Sequence, residues 1–342
     1  MNHSRNNDAG APVGRDAAAP APISAYDLLL VFGLAVLLPV AWLLPVRYWA
    51  RVGRLGVGCA LPLFAAAYAR RHRAHVEAIV GSRQLACGAG AVLPRSLSRN
   101  FEDTLLALRC HRPGAPMPVV HVEGAGHLQR AIAAGRGVVL WVSYFHFYNL
   151  VSKCATAQLG VPVSHLSHPR HGFSGTRFGM RWLNWIRTGI EDRCLRERVY
   201  LAPEGASAAL ERLRQRLGEG GVVSVTARTT GSNPVRVPFL DGELPCAVGA
   251  PLLAHQTGAA LLPLHTLQTE DGRFLVQIDA PIAVDQRLSR REAILAAAAE
   301  YARRLEPVAL RYPDQWKDWM EVAVAAGDVA HRDRSARRPA AV

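Results

Sequence analysis

The hydrophobic positions change period along the chain, and each change predicts an element. From Leu28 to Val46, nineteen residues pass without a charge (LLLVFGLAVLLPVAWLLPV). As a helix this run is about 28 Å long, close to the ~30 Å hydrocarbon core of a bilayer. Trp42, Tyr48 and Trp49 stand near its exit, where interfacial aromatics gather. A secretory leader is the competing reading of so early an apolar run. The run is longer than a usual leader core and no A-x-A site follows it cleanly, which favours a retained transmembrane helix. A second apolar stretch, Leu55 to Ala69, contains Pro62 and is too short to span, so it is expected to lie in the interface.

Beyond residue 76 the pattern alternates. Leu128 to Ala134 reads as the end of a helix stopped by Gly135. Val138 to Val142 is apolar without alternation, as a strand covered on both faces would be. Val161 to Leu166 is a second strand. A helix starting near Ala206 puts Leu210, Leu213 and Leu217 on one face and ends at Gly218, Gly220 and Gly221. Val222 to Thr226, Val235 to Leu240, Ala259 to His265 and Phe274 to Ala280 are further strands. Ser289 and Glu292 form a capping-box pattern ahead of an Ala-rich helix running to about Ala309. This alternation predicts an α/β fold with a mixed, mostly parallel central sheet flanked by helices, preceded by the transmembrane helix. The expected divisions are a disordered segment over 1–25, the transmembrane helix and interfacial stretch over 26–75, an α/β domain over 76–325, and a disordered basic tail over 326–342.

Charge adds an orientation. The 342 residues carry 40 basic and 27 acidic side chains, a formal net charge of +13, and the only lysines are Lys153 and Lys317. Arg5 and Arg15 before the apolar run are offset by Asp8 and Asp16, whereas Arg47, Arg51, Arg54, Arg70, Arg71 and Arg73 follow it. The positive-inside rule then puts the α/β domain on the cytoplasmic side of the inner (cytoplasmic) membrane, with a single pass. Arginine suits phosphate, carboxylate and anionic lipid. Nucleic acid is not the expected partner, because aromatics make up only 7% and no recognition motif appears. The six cysteines are scattered with no CxxC pair, as expected of reduced thiols.

The sharpest local feature is Tyr144-Phe145-His146-Phe147-Tyr148-Asn149, directly after the predicted buried strand. Ligands of open α/β sheets collect beyond the carboxyl ends of strands, so His146 is well placed for chemistry, although a lone histidine after a strand is more often structural than catalytic. His165, His168 and His171 recur every third residue, but Pro169 and Gly172 argue for a loop, and no acid or cysteine stands beside them to complete a metal site.

The order of these pieces resembles the bacterial lipid A late acyltransferases (lauroyl and myristoyl transferases), within the glycerolipid acyltransferase superfamily. His146 and its neighbours are similar to an HFGNxE motif, and Leu213 to Thr226 (LRQRLGEGGVVSVT) to the family's helix–Gly–strand segment. Val237 to Gly242 (VPFLDG) is similar to VPFFG. Thr257-Gly258-Ala259 with Leu262-Pro263 follows, and Pro313-Asp314-Gln315-Trp316 is like PEQW. The resemblance covers roughly residues 26–320. It implies transfer of a fatty acyl group from an acyl carrier protein or coenzyme A thioester to a hydroxyl of a membrane lipid or glycolipid such as lipid A. His146 would be the general base, and no metal or cofactor is implied.

Two positions depart from that pattern. The acid expected five places after the histidine, to hold the imidazole in its working tautomer, is Val151. Where relatives carry acids after the Gly–strand segment, this chain reads Ala227-Arg228-Thr229-Thr230. Ala202 to Ser207 resembles the superfamily's FPEGTRS element and offers Glu204 as a replacement acid, although an acid beginning a helix also serves the helix dipole. Glu191 and Asp192 have only sequence proximity to recommend them. Asn149 would position substrate, and Arg177, Arg181 and Arg228 would contact its anionic groups, unless the first two are surface. The rival expectation is a catalytically degenerate member that keeps the fold as a lipid-binding or scaffold component.

Overall fold

The computed structural model describes residues 20–201, 207–228 and 234–324. The chain opens with α1 (Ala25–Leu43), whose first turn is closed by a reciprocal cap between Ser24 and Asp27. After a short 3-10 turn come α2 (Trp49–Phe64), with Pro62 in its last turn, then α3 (Ala66–Val80) and α4 (Ala89–Arg109). The α/β part follows as β1 (Val120–Glu123), α5 (Ala125–Ala133), β2 (Val138–Val142), α6 (Tyr148–Gln158), β3 (Val163–Ser167), α7 (Trp185–Glu191) and β4 (Glu197–Tyr200). It continues as α8 (Ser207–Gly218), β5 (Val222–Thr226), β6 (Val235–Phe239), β7 (Gly242–Cys246) and α9 (Gly249–Thr257). It closes with β8 (Ala260–Gln268), β9 (Phe274–Ile278), α10 (Arg290–Arg311) and β10 (Ala323–Val324).

Seven strands form the main sheet in the order β1-β9-β8-β2-β5-β3-β4. All neighbours are parallel except β8 and β9, so the sheet is mixed and mostly parallel. A small antiparallel sheet, β10-β7-β6, sits beside it. In central β2 every residue is buried because both faces are covered. Val139 and Trp141 point to the layer built by α8, α9 and α10, while Val138, Leu140 and Val142 point to the layer that holds α5 and α6. That is the period-two alternation of a strand with two apolar faces. The capping box at Ser289 forms as the sequence predicts, with the Glu292 N–H donating to Ser289 Oγ at 3.3 Å and the Ser289 N–H to Glu292 Oε2 at 3.1 Å.

α1 is long and apolar enough to cross a membrane, yet one side of it is fastened to the domain. Leu34 and Ala41 pack with Leu105 and Leu108 of α4 in a third apolar cluster. At its start Asp27 accepts hydrogen bonds from Ser174 Oγ (2.5 Å) and Thr176 Oγ1 (2.9 Å). At its end the Ala41 and Trp42 carbonyls accept from Arg109 and Arg112 at 3.0 and 2.9 Å. Helix carbonyls that lack a partner in the last turn are satisfied best by such cations. The other side of α1 leaves Leu28, Phe32 and Leu43 bare, with Phe32 70% exposed.

Candidate active site

The carboxyl ends of β2, β3 and β5 converge on one edge of the sheet, and each delivers part of the site. After β2 the chain turns through Ser143–Phe147, with Phe147 at φ 62°, and enters α6. This turn is tied to the Pro313–Lys317 segment: the His146 N–H donates to the Gln315 carbonyl (2.9 Å) and the Lys317 N–H to the Tyr144 carbonyl (3.0 Å). The Gln315 side chain in turn exchanges two hydrogen bonds with the Gln268 backbone, at 2.8 and 2.7 Å. The two motif-like segments farthest apart in sequence are therefore hydrogen-bonded neighbours.

His146 is almost fully buried. Its Nε2 lies 2.8 Å from Ser96 Oγ on α4, and its Nδ1 has no hydrogen-bond partner among the described residues. Burial first, then the nearby charges of Lys317, Arg99 and Arg187, push its pKa well below the ordinary histidine range, so the ring is neutral. Val151 is wholly buried in the apolar layer around α6 and supplies nothing to that ring.

A cavity of about 560 Å³ lies beside this loop, between α1 and the sheet edge. One wall is apolar, formed by Leu29, Leu30, Leu34 and Leu37 of α1. The other carries Asn100, Thr104, Tyr144, Tyr148, Asn149, His171, Arg187 and Lys317. Asn149 Oδ1 is buried without a partner among the described residues, which leaves it an acceptor in want of a donor. Arg187 is held by Asp103 at 2.9 Å. Arg228 and Lys317 both lie against the Tyr144 ring, at 4.6 and 4.7 Å from its centre. His146 is not among the cavity's lining residues.

The other expected site residues separate. Arg228 reaches the loop through Tyr144 but is paired with Glu321 at 3.2 Å and Asp318 at 3.7 Å. Arg177 and Arg181 are exposed and do not line the cavity. The Arg177 N–H bonds to the Ala21 carbonyl, and the Arg181 guanidinium lies 5.3 Å from the centre of the Trp182 ring. Glu204 lies outside the described residues. The three evenly spaced histidines part company: His165 bonds Ser224 at 2.8 Å, His168 accepts the Arg170 N–H at 3.0 Å, and His171 meets Glu191.

Glu191, given little weight from the sequence, is the centre of a buried ion cluster. Its carboxylate lies 3.1 Å from Lys153 Nζ, 2.8 Å from Arg198 Nη2 and 3.1 Å from His171 Nε2. Burial pushes its carboxyl up, but Lys153, His171 and Arg198 outweigh that and hold it well below the ordinary range, so it is ionised. Asp318 shows the opposite balance. Burial pushes it up to about 7, and Arg228 at 3.7 Å recovers only part of the loss. A third group, Ser143 Oγ with His265 Nδ1 (2.7 Å), Asp279 and the Tyr301 hydroxyl (2.7 Å), is sealed inside the sheet, where no substrate reaches Ser143 or His265.

An open α/β sheet with a histidine turn at its carboxyl edge is thus set against an apolar helix and a two-sided cavity. The family model of bacterial lipid A biosynthesis acyltransferases matches residues 100–321, well over half of the chain. The chain belongs to that family, and membership implies acyl transfer onto a lipid. Compared with the curated proteins, the chain has no match.

Proposed function

We propose that this protein is a membrane-anchored O-acyltransferase. It moves a fatty acyl group from an acyl carrier protein or coenzyme A thioester to a hydroxyl of a lipid A-like lipid or glycolipid, on the cytoplasmic side of the inner membrane. The observation that carries this reading is the two-sided cavity. Its α1 wall offers leucine side chains to an acyl chain, and its sheet wall offers Asn149, Arg187 and Lys317 to a polar, anionic head group. The bare side of α1, with Leu28 and Phe32, supports insertion in the bilayer, so a lipid substrate reaches the cavity without crossing water.

The family pattern puts the general base at His146. Its neutral ring and its hydrogen bond to the Ser96 hydroxyl support that role. Against it stand Val151 and the absence of the ring from the cavity wall, so acyl transfer rests on the cavity and the family rather than on this ring alone. The direct test is to incubate the full-length protein in lipid nanodiscs with acyl carrier protein and coenzyme A thioesters and follow the lipids by mass spectrometry. A lipid heavier by one acyl unit is expected.

The Nδ1 of His146, which has no partner among the described residues, and the apolar Val151 favour one second reading, a degenerate member that binds lipid without altering it. In that case lipid co-purifies and no acylated product forms with any donor.

A further inference from the structure

The carboxylate missing at position 151 has a counterpart directly behind the cavity wall. His171 lines the cavity, with its side chain 16% exposed, and its Nε2 lies 3.1 and 3.3 Å from the two oxygens of Glu191. Glu191 has no exposed surface, and its charge is already met by Lys153 and Arg198, so the bond to His171 needs only a neutral imidazole donating its Nε2 proton. That leaves Nδ1 as the basic nitrogen, the division of labour seen in histidine–carboxylate pairs generally.

The surrounding chain holds this pair rigidly. His171 follows β3, and its loop is pinned by Asn184, whose Oδ1 accepts from the N–H groups of Phe173 (2.7 Å) and Ser174 (3.0 Å). Asn184 Nδ2 donates back to the Ser174 carbonyl at 2.8 Å. Gly172 sits at φ 138° with no room for a Cβ, which would lie 2.4 Å from the Asn184 side chain. The turn before α7 is a π-helical one, Gly179–Leu183, an irregularity common near functional sites. On α7, Arg187 and Glu191 are four residues apart, so one helix face supplies both a cation to the cavity and the carboxylate behind His171.

We infer that His171, backed by Glu191, is the proton acceptor of the transfer reaction. This rests on the acyltransferase reading and names its catalytic pair. The acceptor hydroxyl gives its proton to His171 Nδ1 as its oxygen attacks the thioester carbonyl. The C–O bond forms, the C–S bond breaks, and the leaving thiolate takes the proton back from the imidazolium. Glu191 is a positioning residue that fixes the tautomer and steadies the transient positive charge.

The experiment uses the full chain in nanodiscs with the substrates above. His171→Ala is expected to lose at least ~100-fold in transfer rate while retaining bound lipid, and added imidazole is expected to restore part of the rate. Glu191→Gln is expected to lower kcat by about tenfold or more with KM unchanged. Transfer by His171→Ala within about threefold of the unaltered protein, with activity lost in His146→Gln, overturns the inference and returns the role to the family's position. Loss of bound lipid together with failure of imidazole rescue also overturns it, since that marks a structural role. An unaltered protein that binds lipid and acylates nothing removes the acyl-transfer reading itself, an outcome no His171 variant can imitate.

Discussion

At the scale of single residues, burial decides which titratable groups can do chemistry. His146 is neutral but enclosed, Asp318 is raised to about 7 and largely buried, and Glu191 is buried yet ionised because Lys153 and Arg198 lie against it and His171 is hydrogen-bonded to it. Asp318 has a pH signature with a definite sign. Its folded pKa lies above its ordinary 3.8, so the folded chain holds an extra proton between those values and loses stability as pH rises toward 7, with a ceiling of about 4 kcal/mol. Asp318→Asn should therefore raise the melting temperature at pH 8 and leave it nearly unchanged at pH 4, read by thermal denaturation across pH. Gly172→Ala forces a Cβ into Asn184 at a backbone angle that side chains avoid. It should cut transfer at least ~10-fold by moving His171, with circular dichroism unaltered.

The same scale shows what the sequence could and could not tell. The histidine after the buried strand was visible, because a turn residue after an apolar run announces itself. The lining role of His171 was not, because nothing local to His165, His168 and His171 reveals that one bonds Ser224, one caps its own loop and one faces Glu191, twenty residues on. Glu191 had only its proximity in sequence to recommend it, because its partners Lys153 and Arg198 come from α6 and β4. Arg177 and Arg181 had the residue type for anion contact, but their side chains ended on the surface.

Among the elements, long apolar or capped segments were legible and short ones were not. The β2, β5, β6, β8 and β9 strands and the α10 cap follow from hydrophobic runs and from Ser289 with Glu292. The four-residue strands β1 and β4, and β7 with its Glu243 and Pro245, carry too little pattern to be told from loop. α1 was read correctly as an apolar helix, but its docking was hidden, because Asp27 and the arginines of α4 that hold its ends lie far away in sequence. The exposed side of α1 carries its own prediction. Leu28→Glu with Phe32→Glu leaves both the packed side and the cavity-lining leucines untouched and should release the protein from liposomes in a flotation assay. Continued flotation would shift the membrane contact to the exposed apolar residues elsewhere, such as Leu63, Phe64 and Trp182.

For the whole molecule, the parallel strands β2, β3 and β5 end on the same edge, and that edge meets α1, so chemistry and lipid access are brought to one place. Family membership accounts for the general reaction, and because Val151 offers His146 no carboxylate, the proposed proton acceptor comes from another part of the same edge. Mass spectrometry of lipids exposed to the full-length protein and a thioester donor bears most directly on this account. Gain of one acyl unit by a hydroxylated, anionic lipid, abolished by His171→Ala and partly regained with imidazole, is the predicted result. Lipid that stays bound and keeps its mass with every donor would contradict it.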